Sequence, residues 1–173
     1  MGEIMLETER LIIRKFNEND LNEFETLLDI PEVIGWQMQK NRAKDFLQWH
    51  ISNYNKMDII SGIICFGIFD KCNKILGAVG AGKHDDLNET EIFYNLLPLE
   101  RGNGFATEAV KKITEWAMEN YEIPYIIGTI GVENLKSQKI LERCGYEYIN
   151  EQTLLVHITN EKYKFKYYRY YRK

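Results

Sequence analysis

A strand-like run that ends at a proline, crosses two glycines and enters a helical stripe constrains this chain more than any other stretch. It reads Leu96-Leu97-Pro98-Leu99-Glu100-Arg101-Gly102-Asn103-Gly104-Phe105-Ala106-Thr107-Glu108-Ala109. Beyond the glycines, Ala106, Ala109, Val110, Ile113, Trp116 and Ala117 recur at helical spacing, and Pro124 precedes another apolar run, residues 125–132. Strand, turn, helix and strand in that order call for a right-handed crossover between parallel strands. The helix then begins beside the carboxyl ends of two strands, where open α/β sheets bind ligands. Glycines let a ligand approach the backbone, and first-turn N–H groups have no partner inside a helix. The stretch from Gly102 to Thr107 therefore predicts a cradle for the phosphate oxygens of a cofactor; the alternative is a loop whose glycines only permit a tight turn.

The flanking sequence predicts the rest of the fold. Residues 10–16 have the β-branched content of a first strand. Asn17-Glu18-Asn19-Asp20 offers capping residues to a helix with Leu21, Phe24, Leu27 and Leu28 on one face, closed by Pro31. Ala43, Phe46, Leu47, His50, Ile51 and Tyr54 share a face of a second helix. Trp36 and Trp49 beside it are expected in the core, with a substrate-pocket wall as the alternative. Residues 63–69 and 75–81 form a hairpin across a short polar turn, and residues 91–97 a third strand. Asn134 can cap a short helix carrying Ser137, Ile140, Leu141 and Cys144, stopped by Gly145. Residues 153–158 and 163–171 read as a closing hairpin. The order β-αα-βββ-α-β-α-ββ predicts an α/β fold with one mixed sheet and helices on both faces.

No repeat, low-complexity tract or linker divides the chain, and its 173 residues fit a single domain over 1–173. A formal net charge of −4 removes any general electrostatic reason to expect nucleic acid. Three cysteines with no CxxC pair argue against a disulfide framework or structural zinc, and scattered histidines give no metal-ligand spacing. The first fifteen residues lack a secretion-type apolar segment, Leu6 stands where a myristoylation signal needs Ser or Thr, and no stretch reaches membrane-spanning length. A cytoplasmic protein with no membrane partner and no metal is expected.

Two nucleotide motifs are near misses. The fingerprint GxGxxG begins at Gly102 and Gly104, but Thr107 replaces the third glycine and no acidic residue closes a following strand at the right distance. Gly77 to Lys83 matches GxxxxGK, yet His84 replaces the Mg²⁺-binding hydroxyl and the acidic Asp85, Asp86 and Glu89 follow.

Arg101-Gly102-Asn103-Gly104-Phe105-Ala106 resembles the (Q/R)-x-x-G-x-(G/A) motif of the GNAT acetyltransferase superfamily. Residues 91–98 resemble that family's central strand and residues 133–146 its final helix. Residues 7–14 are similar to the start of the ribosomal-protein-alanine N-acetyltransferase branch. The four matches follow family order and span most of the chain.

The resemblance implies a mostly antiparallel sheet with one parallel strand pair splayed apart, acetyl-CoA entering the gap like an added strand. Tyr94, Asn95 and Leu96 would offer backbone groups to the pantetheine arm. Gly102, Asn103, Gly104, Phe105, Ala106 and Thr107 would hold the pyrophosphate. Arg101 would add a charged contact or fix the loop, and Asn134 would reach the cofactor arm, cap the last helix, or do both. A neutral amine attacks the thioester carbonyl, with the Leu96 N–H as oxyanion donor and Glu91 as base, directly or through water; the alternative for Glu91 is a solvated strand end. Many relatives carry a tyrosine acid on the last helix, where this chain has Leu141. Ser137, one helical turn earlier on the same face, is the substitute to test, unless its hydroxyl only bonds the backbone.

The implied acceptor is a primary amine: the N-terminal α-amine of a protein, a ribosomal one in the resembled branch, or a small amine or antibiotic. Asp85, Asp86, Glu89 and Glu91 would suit a cation. The basic, aromatic residues 162–173 suit single-stranded nucleic acid or, by their alternation, a strand with one solvated face. A noncatalytic CoA- or RNA-binding module and a P-loop nucleotide enzyme are the competing classes, and a homodimer is left open.

Overall fold

A computed structural model describes residues 3–172. The chain runs β1 (Ile4–Glu7), β2 (Leu11–Arg14), α1 (Leu21–Leu28), α2 (Ile34–Gln37), α3 (Ala43–Asn53), β3 (Ile63–Asp70), β4 (Ile75–Lys83), β5 (Thr90–Leu96), α4 (Phe105–Asn120), β6 (Tyr125–Gly131), α5 (Leu135–Arg143), β7 (Glu147–Val156) and β8 (Glu161–Tyr171). One eight-stranded sheet has the order β1-β2-β3-β4-β5-β6-β8-β7. Every pairing is antiparallel except β5 with β6.

Strand alternation sends side chains to opposite faces, and each face has its own core. On one, α4 and α5 bury Ala109, Val110, Ile113 and Leu141 against Phe66, Val79, Ile92 and Ile126. On the other, α1 and α3 bury Phe24, Leu27, Leu28 and Leu47 against Ile12, Cys65, Phe69 and Ala78. The expected mixed sheet with helices on both faces is observed.

Three local expectations change. The first strand becomes a hairpin, β1 with β2, because Thr8 closes the turn: its N–H donates to the Leu11 carbonyl and its hydroxyl accepts from the Leu11 N–H at 2.9 Å. The first helix stops at Leu28, before Pro31. Trp49 is 46% exposed, stacked on Phe46 rather than enclosed in the core. The helix start is as the sequence predicts. Asn17 and Asp20 form a reciprocal capping box, and Asp20 also takes a two-pronged bond from Arg14, both contacts at 2.8 Å.

The stretch Gly77 to Lys83 lies inside β4. A Cβ at Gly77 would sit 2.2 Å from the Asn95 carbonyl oxygen, and one at Gly80 2.0 Å from that of Ile64. These glycines serve close backbone approach in a central strand, so no phosphate-binding loop forms there. The basic, aromatic C-terminus is likewise β8, with Tyr167 and Tyr168 buried.

Candidate active site

The site is built where β5 and β6 part. Seven residue pairs register β4 with β5, but only Glu91 with Ile127 registers β5 with β6. Beyond that point, a cleft of about 810 Å³ opens. Its walls include Tyr94, Asn95 and Leu96 of β5, the glycine loop and first turn of α4, and Asn134, Ser137 and Ile140 at α5.

The glycine loop turns through two left-handed positions. Gly102 and Gly104 take φ of +85° and +81°, a left-handed conformation that costs glycine nothing. A Cβ at Gly102 would meet nothing within 4 Å, so the loop faces open space. Gly104 is the N-cap of α4 and has no side chain to cap it, which leaves first-turn N–H groups toward the cleft beside Ala106 and Thr107. Asn103 and Phe105 face elsewhere. The Asn103 carbonyl accepts from Arg10 at 2.9 Å, and the Arg10 guanidinium lies over the Phe105 ring. Arg10 is itself held by Glu108 at 2.6 Å.

Arg101 is fixed in place. Its Nε donates to the Leu96 carbonyl at 3.2 Å, and its two terminal nitrogens donate to Glu32 at 2.9 and 3.0 Å. This pair lowers the Glu32 pKa to about 2 and raises that of Arg101, each mainly through their shared hydrogen bonds. Arg101 thus ties the end of β5 to the segment after α1.

Backbone direction along β5 follows from one bond. The Leu97 N–H donates to the Leu76 carbonyl on β4, so by alternation the Leu96 and Tyr94 N–H groups point away from β4, into the splay. The backbone of Asn95 faces β4 instead. Asn95 also lines the cleft, and its Oδ1 is buried without a hydrogen-bond partner.

Glu91 and Ser137 are not brought together. Glu91 shares strand parity with Phe93, which packs on the α1–α3 core, while Tyr94 packs with α4 and α5. Glu91 thus opens to the face opposite α5. Its Oε1 accepts from the Thr129 N–H at 3.0 Å and the Thr129 hydroxyl at 2.5 Å. Burial raises its pKa, opposed by the Thr129 bonds and the nearby His84. Ser137 lines the cleft; its N–H donates to Asn134 Oδ1 at 3.1 Å, so Asn134 does cap α5. Leu141 is fully buried against Gly128.

Sequence reading missed part of the wall. Lys136, Lys139 and Arg143 line it from α5, and Ile30, Glu32 and Val33 from the segment after α1. The spacing of three and four residues between those cations was a legible signal of one helix face. Nothing in the sequence marked residues 30–33, which reach the cleft through long-range packing.

A family model described as Acetyltransferase (GNAT) domain matches residues 10–147. The chain is 27% identical over 149 residues to the uncharacterized N-acetyltransferase p20 of Bacillus licheniformis, covering 82% of each. Among solved structures it resembles RimL, a ribosomal L7/L12 alpha-N-protein acetyltransferase in complex with coenzyme A, at TM-score 0.78 and 14% identity, covering 98% of both chains. It also resembles the ribosomal-protein-S5-alanine acetyltransferase of Vibrio fischeri at TM-score 0.73 and 16% identity, covering 99% of this chain and 98% of the other.

Proposed function

This chain belongs to the GNAT acetyltransferase family and is an acetyl-CoA-dependent N-acetyltransferase; on that premise we propose that it acetylates the N-terminal α-amine of a protein. The observation that carries the cofactor placement is the splay of β5 from β6 ending at an uncapped α4 N-terminus with two left-handed glycines. In this reading the pyrophosphate lies against residues 102–107 and the pantetheine arm runs along β5 past Asn95, meeting the Tyr94 and Leu96 N–H groups.

The acceptor nitrogen attacks the thioester carbonyl from the Glu91 side. Glu91 takes the amine proton, directly or through one water, and the Leu96 N–H donates to the developing oxyanion. Such a donor contributes about 2.7–4 kcal/mol to the barrier reduction, and a positioned base roughly 10²–10⁴-fold. The acceptor class is supported by neighbours that act on ribosomal proteins and by the carboxylates near Glu91. Glu89 is already engaged by Tyr167 and Arg169, and Asp86 by His157, which leaves Asp85 and Glu91 as the acidic groups for a cationic amine.

A thermal-shift titration tests the cofactor. CoA or acetyl-CoA at a hundredfold excess over Kd is expected to add about 2.7 kcal/mol of stability, and Mg-ATP none; stabilisation by Mg-ATP alone overturns the reading. Thiol release from acetyl-CoA then tests the acceptor, using peptides with free or blocked N-termini and a polyamine. Release with free N-termini only supports the protein acceptor; release with the polyamine alone assigns a small-molecule acceptor instead.

A further inference from the structure

Breaking a thioester puts an electron pair on sulfur, and a hydrogen-bond donor held at the cleft wall stabilises that charge. On α5, Leu141 is sealed against Gly128 and carries no donor, while the Asn134 side-chain oxygen accepts from the Ser137 N–H and the Ser137 hydroxyl stands at the cleft wall as the competing donor. Tyr94 differs. Its ring packs against the α4–α5 core, and its hydroxyl crosses from β5 to the Ser137 carbonyl at 3.2 Å, both residues lining the cleft. That carbonyl also belongs to the helical ladder of α5, so losing the tyrosine leaves it paired. The Tyr94 hydroxyl can therefore turn to a better acceptor at small cost.

We propose that Tyr94 is the hydrogen-bond donor to the departing sulfur of CoA, its O–H turning from the Ser137 carbonyl to sulfur as the C–S bond breaks. The proposal rests on the N-acetyltransfer reading above. The acceptor nitrogen's lone pair forms the C–N bond, the C–S pair leaves on sulfur, and the amine proton goes to Glu91 or water. The thiolate departs as an anion and takes its proton from solvent after release. Tyr94 keeps its own proton throughout: burial pushes its phenol up to about 12, above an ordinary thiol at about 8.5. Tyr94 is thus a donor to the leaving group without becoming a phenolate, and the Ser137 hydroxyl is not required for that step.

The test uses CoA itself and needs no acceptor. The thiol of protein-bound CoA is titrated by its ultraviolet thiolate absorbance in the wild type, Tyr94→Phe and Ser137→Ala. The bound thiol is expected to titrate about one unit lower in the wild type than in Tyr94→Phe, because a donor stabilises the thiolate selectively. Ser137→Ala is expected to match the wild type. Equal titration in the wild type and Tyr94→Phe, or a shift in Ser137→Ala alone, overturns the proposal. A second measurement needs no variant: above the bound thiol's titration point, the wild type is expected to bind CoA roughly tenfold more tightly than desulfo-CoA, and equal affinity also overturns it. Failure of the wild type to bind CoA at all by calorimetry would instead overturn the acetyl-CoA reading on which the proposal stands.

Discussion

Glu91 joins the two strands at the last point where they are still registered. Its carboxylate takes the Thr129 N–H and hydroxyl, so it stitches β5 to β6 where the ladder ends. Burial raises its pKa and the Thr129 bonds lower it. A base must be deprotonated, so the acid-side fall of the rate is expected above the ordinary carboxylate range of about 4.3. Thr129→Val removes one lowering bond and is expected to move that limb upward, read from kcat/KM against pH with acetyl-CoA and the best peptide acceptor. A limb that stays in place takes Glu91 out of the chemistry. The sequence made Glu91 and the two glycines legible, because a strand start and a strand–turn–helix junction are local patterns. It did not reveal Thr129 as the partner, which depends on the pairing of Glu91 with Ile127. Nor did it reveal that Asn95 turns its backbone to β4.

At the scale of elements, the α1–α3 layer combines what local pattern predicts with what it cannot. The Asn17–Asp20 cap and the stripes of Phe24 and Leu47 follow from spacing. His50 shares the stripe predicted for α3, yet its surroundings come from three elements. It is 2% exposed, both ring nitrogens lack hydrogen-bond partners, and the rings of Phe24, Trp36, Phe46 and Trp49 surround it at 4.6–5.8 Å. Desolvation lowers its pKa to about 4. Between that value and the unfolded value of about 6.5, the unfolded chain binds a proton that the native state refuses. Stability is therefore expected to fall as pH drops through this window, by on the order of 3 kcal/mol across it. His50→Phe fits the aromatic box and cannot titrate. Denaturant unfolding at several pH values, wild type minus variant, isolates the His50 contribution, and parallel curves would refute it.

Over the whole molecule, the order of elements was legible because turn residues punctuate nearly every junction. The cleft's outer wall was not, because residues 30–33 and α5 meet only after the sheet is assembled. That wall carries an electrostatic consequence. The protein has a net charge of −4, so its average field repels an anionic ligand. Within the cleft, Glu32 already engages Arg101 and Glu133 adds a carboxylate, whereas Lys136, Lys139 and Arg143 present positive charge along one side of α5. These three make the local attraction that a polyphosphate would feel against the global repulsion. The double substitution Lys139→Ala, Arg143→Ala is expected to weaken CoA binding roughly tenfold at low salt, equivalent to about 1.4 kcal/mol. It is also expected to flatten the decline of affinity with added salt, since screening then has less attraction to remove. Pantetheine, which lacks the phosphates, serves as the internal control in the same calorimetric titration and is expected to bind both proteins alike. A parallel loss of pantetheine affinity would mean that the two side chains shape α5 rather than attract phosphate. Unchanged CoA affinity at every salt concentration would place the phosphates away from α5 altogether.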